Sequence, residues 1–189
     1  LVAAAGTQLP DYQPPDSVVE AEMDALVRAV GSKLGLTSTE LTELTTASRF
    51  RDLGMTTVPD EIITKDGPLN DDEWAVIKRH PERSAEMLGA SPVFETVREV
   101  VRASHEHMDG SGYPRGIAGD AIPTGARVLL AVESYLAMTQ ERPYREMLGM
   151  RDAISEMQAY AGRIYDAAVV GALVEVVAET GAERHTIAA

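Results

Sequence analysis

The sequence predicts an all-α protein that forms a single helical domain of about seven helices. Apolar residues recur at helical spacing through most of the chain, and helix-capping patterns precede several of these stretches. No segment alternates apolar and polar residues with period two over a convincing length. The length of 189 residues fits one domain, and no internal repeat is present.

The domain is expected to occupy residues 17–180. Residues 1–16 are small, polar and proline-bearing, which is typical of a linker, and residues 181–189 form a C-terminal tail. The chain begins with Leu1 rather than with methionine, which favours a segment of a longer protein.

Capping boxes mark the first two helices. Ser17 with Glu20 opens the first, and Thr37 with Glu40 opens the second. The first helix carries these apolar residues at helical spacing: Met23, Leu26, Val27, Val30 and Leu34. Residues 54–69 contain two prolines and a glycine and are predicted to form a loop.

Two prolines affect the predicted helices in the middle of the chain. Asn70 with Glu73 opens a third helix, in which Pro81 is expected to cause a kink. Pro92 suits the first turn of a fourth helix, whose apolar face extends to Met108.

Three further helices complete the predicted domain. A glycine-rich loop over 109–122 leads to a fifth helix that starts at Pro123. Helical patterns then occupy about 150–160 and 165–179, and Gly181 is expected to end the last one.

Composition limits the classes of function. Thirty acidic residues against 17 basic ones give a net charge of −13, which disfavours general nucleic-acid binding but still permits a small anionic ligand in a local basic pocket. The absence of cysteine excludes disulfides, zinc knuckles and thiol nucleophiles, and agrees with a cytoplasmic protein. No apolar run reaches the length of a membrane span, and the first residues do not show a signal-peptide pattern.

Four residues suggest a metal site inside the helical bundle. Asp52 ends an apolar helix, His80 and His105 lie on later helices, and Glu133 interrupts the apolar stripe of the fifth helix. Histidine and carboxylate groups that converge from several helices are how helical proteins bind metal ions. Alternatively, each is a hydrogen-bonded polar residue of the core.

The motifs resemble those of the HD-GYP domain. The similarity runs over about residues 17–178 and includes "HEHMDGSGYPRGIAGDAIPTGARVLLAVESYLAMTQERPYR" and the late segment "GRIYDAAVV". This resemblance implies an HD-superfamily bundle from bacterial signalling that hydrolyses cyclic di-GMP with two or three bridged metal ions.

Several family positions are replaced. Arg51 stands for the histidine of the family's His-Asp pair, and Met55 stands for its lysine. The other departures are Val19, Ser104 and Leu136. The remaining candidates for catalysis are Asp52, His80 and His105, and those for metal binding are the same three with Glu133.

Arg51 changes the expected chemistry of the site. A permanent cation stands where the resemblance places a metal ligand, so we expect Arg51 to replace the metal by pairing with Asp52 or Glu133. No cofactor is then expected. The alternative is a single divalent ion, such as iron or manganese, at the remaining ligands.

Residues outside the candidate metal site match the family pattern. The loop residues are Asp109, Gly110, Gly112, Tyr113 and Pro114. The resemblance associates this loop with GGDEF-type partner proteins and associates Arg142 and Arg145 with contacts to cyclic di-GMP. The alternatives are a tight structural turn for the loop and ordinary salt bridges for the arginines.

Three functions remain open. The first is a cytoplasmic HD-GYP domain that is catalytically inactive or impaired and regulates by binding cyclic di-GMP or a partner protein. A second copy of the chain is one such partner, which would give a homodimer. The second is a residual metal-dependent phosphodiesterase. The third is a structural spacer between other domains.

Overall fold

The computed structural model describes residues 17–140 and 147–187, which are mainly α-helical. Within these ranges there is no β-strand, only an isolated bridge between Ala161 and Tyr165. The all-α prediction is confirmed. None of the described helices is long and apolar enough to cross a membrane. The predicted linker lies outside the described residues, and the domain boundaries stay predictions.

The α-helices are α1 (Ser17–Lys33), α2 (Ser38–Phe50), α3 (Asp60–Ile63), α4 (Asp71–Ile77), α5 (His80–Met87), α6 (Glu95–Arg102), α7 (Thr124–Thr139), α8 (Met150–Ala159) and α9 (Ala167–Ile187). Short 3-10 helices occupy Leu53–Thr57, Pro92–Phe94 and Gly119–Ala121. The region predicted as a loop over 54–69 thus contains most of one 3-10 helix and the one-turn helix α3.

Helix α7 forms the centre of the core. It contacts α1, α2, α6, α8 and α9. Val128, Leu129, Ala131 and Val132 have no exposed surface, as expected for a helix that is apolar on most of its faces. Glu133 is the only acidic residue of this helix, and its side chain is 26% exposed, unlike the fully buried apolar residues around it in the sequence.

Two of the predicted capping boxes are confirmed. The Glu40 amide donates to the Thr37 hydroxyl at 3.3 Å, and the Thr37 amide donates to the Glu40 carboxylate at 2.8 Å. Asn70 and Glu73 make the same reciprocal pair at 2.9 and 2.8 Å. These bonds satisfy amides that a helix N-terminus leaves without partners.

The predicted kink at Pro81 is wrong, because the helix is divided rather than bent. Helix α4 ends at Ile77, and α5 begins at His80 with Pro81 in its first turn. A first-turn proline costs no hydrogen bond, since the amides there have no partner inside the helix. The division places His80 at the start of a new helix.

Two other helix ends differ from the prediction. Helix α6 stops at Arg102, although Met108 still packs against the core from the turn that follows. Apolar spacing alone therefore overextended the helix. At the C-terminus, α9 continues past Gly181 to Ile187, because one glycine in a helix costs only about 1 kcal/mol.

Candidate metal centre

Three separate segments bring Asp52, His80 and His105 together. Asp52 follows α2, His80 begins α5, and His105 lies in the turn after α6. One ligand atom from each lies within 4.8 Å of the other two. His80 Nε2 is 3.1 Å from His105 Nε2 and 3.6 Å from Asp52 Oδ1. His105 thus reaches the site from a turn, and not from the helix face that its spacing predicted.

Ser84 and Gly54 hold the Asp52 segment against α5. The buried Ser84 hydroxyl donates to the Arg51 carbonyl and accepts from the Gly54 amide, each at 2.7 Å. A Cβ atom on Gly54 would lie 2.2 Å from the His80 carbonyl oxygen, so only glycine permits this approach. The close contact sets Asp52 beside His80.

The proton position on His80 follows from its backbone partner. His80 Nδ1 lies 2.9 Å from the Ile77 carbonyl oxygen, which can only accept a hydrogen bond. Nδ1 therefore carries a proton, and in the neutral ring the lone pair is on Nε2, facing Asp52 and His105. Metal-binding histidines are commonly oriented by such a bond from the other ring nitrogen.

The environment keeps His105 neutral. Burial lowers the pKa of His105 to about 4, against an opposing effect of the Glu133 charge. The ring is therefore uncharged at pH 7. Neutral imidazole is the form that binds metal ions.

Arg51 joins two carboxylates beside this cluster. Its side chain is 14% exposed, and its guanidinium lies 3.2 Å from Asp52 Oδ2 and 3.3 Å from Glu133 Oε1. The same guanidinium donates to the Ser48 carbonyl. The arginine is thus held at three points, by Ser48 of α2, by Asp52 just after α2 and by Glu133 of α7.

The Arg51 charge sets the ionisation of Glu133. Burial acts to raise the pKa of Glu133, but the adjacent Arg51 and the nearby His105 hold that pKa below its usual value. Burial raises the pKa of Asp52, and Arg51 offsets only part of this effect. One guanidinium therefore faces two carboxylates whose preferences for a proton differ.

The donor set fits one divalent metal ion. Two imidazole nitrogens and one carboxylate oxygen are suitable ligands for manganese, iron or zinc, and they already converge. Glu133 is not part of this converging group and pairs with Arg51 instead. Because the guanidinium lies between the two carboxylates, the described residues do not fit a second ion.

The other positions that depart from the family pattern lie in the following surroundings. Ser104 is fully buried, and its hydroxyl donates to the Val101 carbonyl at 2.9 Å. Met55 packs in a small apolar cluster with Ile77. An open cleft of about 60 Å³ beside Arg51 and Glu133 is lined in part by Val19 and Leu136.

The glycine-rich loop places Tyr113 against the two histidines. The Tyr113 ring stacks on His105 with centroids 4.9 Å apart and an interplanar angle of 8°, and it meets the edge of His80 at 6.3 Å. The Tyr113 amide donates to the His105 carbonyl at 3.1 Å. Burial, followed by the charges of Glu133 and Asp52, raises the pKa of Tyr113, so its hydroxyl keeps the proton at neutral pH.

One glycine and two carboxylates shape this loop. A Cβ atom on Gly112 would lie 2.3 Å from the His107 amide nitrogen, so the position requires glycine. The carboxylate of Glu106, which is 1% exposed, accepts from the Arg115 amide at 2.7 Å. At the loop's start, Asp109 accepts from the amide and hydroxyl of Ser111 at 3.0 and 2.6 Å.

Sequence reasoning missed three contributors to the site. Tyr113 was assigned only to a partner-binding loop. Glu106 was given no role, and neither was Lys78, whose ammonium nitrogen lies 5.9 Å from the centre of the Tyr113 ring. Spacing along the chain does not reveal these contacts, because each depends on how separate segments pack. The predicted ligand-binding residues Arg142 and Arg145 lie outside the described residues.

Comparison with known proteins agrees with this architecture. A family model described as "HD domain" matches residues 8–169. The cyclic di-GMP phosphodiesterase response regulator RpfG of Xanthomonas campestris is 35% identical over 153 residues, covering 80% of this chain and 40% of that protein. A cyclic di-GMP phosphodiesterase of Thermotoga maritima is 30% identical over 149 residues, covering 78% of this chain and 40% of that protein.

Solved structures share the fold. The Bdellovibrio bacteriovorus protein Bd1817, described as an HDG"Y"P protein, has a TM-score of 0.66 at 16% identity, covering 84% of this chain and 51% of its own. A cyclic GMP-AMP specific phosphodiesterase of Vibrio cholerae has a TM-score of 0.64 at 19% identity, covering 84% and 43%. The chain spans about two fifths of the length of the first two curated relatives. With a family match over most of its residues, in agreement with the resemblance drawn from its motifs, this chain belongs to the HD domain family.

Proposed function

We propose that this chain is a degenerate HD-GYP domain that binds a cyclic dinucleotide as a regulatory module and does not hydrolyse it at an ordinary enzymatic rate. The observation that carries the proposal is the Arg51 guanidinium between Asp52 and Glu133. The relatives named as cyclic di-GMP phosphodiesterases supply the ligand class. A module of this kind acts in the cytoplasm, where its glycine-rich loop is available to a GGDEF-type protein or a second copy.

The chemistry of phosphodiester hydrolysis explains why Arg51 matters. A two-metal site stabilises both the attacking and the leaving oxygen. Arg51 supplies positive charge, but a guanidinium cannot lower the pKa of a bound water as a metal ion does. Its charge is also already shared between two carboxylates.

A second function is favoured by the convergence of Asp52, His80 and His105. These residues would hold one divalent ion, which when bound supplies Lewis acidity and activates water. His80 would contribute Nε2, because Nδ1 is bonded to the Ile77 carbonyl. The alternative is therefore a residual phosphodiesterase with a single ion.

Turnover and metal content distinguish the two functions. The purified domain is incubated with cyclic di-GMP and manganese or iron, and the linear product is measured by chromatography. We expect binding by calorimetry with turnover far below about 1 s⁻¹, the lower end of ordinary enzymatic rates. Turnover at that rate, or two bound ions per chain by elemental analysis, would contradict the proposal. One ion together with slow turnover would favour the residual enzyme.

A further inference from the structure

Lys78 differs from the other lysines of the chain in its surroundings. Lys33 pairs with Glu175 and Glu179 at 3.2 and 2.7 Å, and Lys65 pairs with Glu73 at 2.6 Å. Over residues 17–140 and 147–187, the ion pairs include no carboxylate partner for the exposed Lys78. Its surroundings therefore differ from those of Lys33 and Lys65.

The ammonium of Lys78 is held at the candidate site by an aromatic ring. Its nitrogen lies 5.9 Å from the centre of the Tyr113 ring, within the range of a cation–π interaction. Tyr113 in turn stacks on His105 and meets the edge of His80. This contact positions the charge while leaving the three N–H donors of the ammonium free for a ligand.

The site has two carboxylates, Asp52 and Glu133, but only one guanidinium to pair with them. Asp52 and Glu133 share the single guanidinium of Arg51, so an incoming phosphate would meet an uncompensated negative charge. Met55 stands where the resemblance places a lysine, so a positive charge is missing there, and Met55 is buried in one apolar cluster with Ile77. Lys78 directly follows Ile77 in the chain and is exposed, with its ammonium near the Tyr113 ring.

We propose that Lys78, held on the Tyr113 ring, binds a phosphate of the cyclic dinucleotide and replaces the lysine lost at Met55. This inference rests on the proposed function, because it names a contact for the same ligand. A cyclic dinucleotide carries two phosphodiester groups. Lys78 binds one of them, and the ligand lies where the Lys78 ammonium meets the Tyr113 ring.

Calorimetry with cyclic di-GMP tests this contact in the whole chain. Lys78→Gln should weaken binding about tenfold or more, since a hydrogen bond to a charged group is lost, and the affinity should depend less on salt. Lys78→Arg should bind within about threefold of the wild type, because it keeps the charge and its stacking on the ring.

Arg79→Gln is the matched control. It removes the same charge from the adjacent exposed residue, and the cation–π contact with Tyr113 belongs to Lys78, so affinity should stay within about threefold. If Lys78→Gln binds as tightly as the wild type, or Arg79→Gln is weakened equally, the specific contact is refuted while dinucleotide binding stands. If the wild type does not bind cyclic di-GMP, the proposed function and this contact are both refuted.

Discussion

Replacement of Arg51 by alanine should destabilise the domain by about 3 kcal/mol at pH 7. Removal of one partner from a buried ion pair costs about 3–5 kcal/mol, and an exposed pair is worth about 0–1 kcal/mol. The Asp52 and Glu133 side chains are 25% and 26% exposed, so we expect the lower end of the buried range. The melting temperature of a domain of this size should fall by about 6–12 °C.

The effect should shrink in acid. In the wild type, Arg51 holds the pKa of Glu133 below its usual value of 4.5, which stabilises the fold above that pH and is lost as the pH falls below it. Without Arg51, burial would raise the pKa of Glu133 above 4.5. The variant's deficit is therefore full near pH 7 and decreases toward pH 4.5, as the stranded carboxylate takes up a proton.

Urea unfolding followed by circular dichroism at pH 7 and pH 5 measures both effects. Arg49→Ala is the matched control, since Arg49 is two residues earlier and its pair with Asp24 is at the surface, with the arginine 66% exposed. It should cost no more than about 1 kcal/mol at either pH. Equal costs for the two alanine variants would show that Arg51 does not compensate the site's carboxylates.

Three further outcomes are expected. Added manganese should raise the melting temperature of Arg51→His more than that of Arg51→Gln, because imidazole adds a metal ligand beside Asp52. Equal increases in melting temperature for the two variants would contradict this. Ser84→Ala should lower the free energy of unfolding by about 1–3 kcal/mol in urea titrations, because it leaves the Gly54 amide and the Arg51 carbonyl without their buried partner. Ser38→Ala, at an exposed position, is the control, and an equal cost for the two variants would refute this reasoning. Gly112→Ala should abolish dinucleotide binding measured by calorimetry, because its Cβ would lie 2.3 Å from the His107 amide and displace Tyr113; unchanged affinity would show that the loop does not contribute.

The sequence by itself determined the helical class and several helix starts. The capping boxes at Thr37 and Asn70 were readable because their hydrogen bonds join residues three apart. Helix ends were less certain, since α6 and the helix around Pro81 depended on whether packing allowed the chain to continue. The identities of Arg51 and Met55 were likewise sufficient to predict a changed site, because a permanent cation does not bind a metal ion and a thioether carries no positive charge to hold a phosphate.

Only the tertiary structure decided which groups meet. Arg51 and Glu133 are 82 residues apart, and their contact depends on how α2 packs beside α7. Tyr113 reaches His105 through a loop whose path is set by the Glu106 carboxylate and by the absence of a side chain at Gly112. The contact of Lys78 carries no sequence signal at all, since it is made with a ring 35 residues further along the chain. Local hydrogen bonds can be read from residue order, whereas the charge balance of a buried site depends on distances between segments that are remote in sequence.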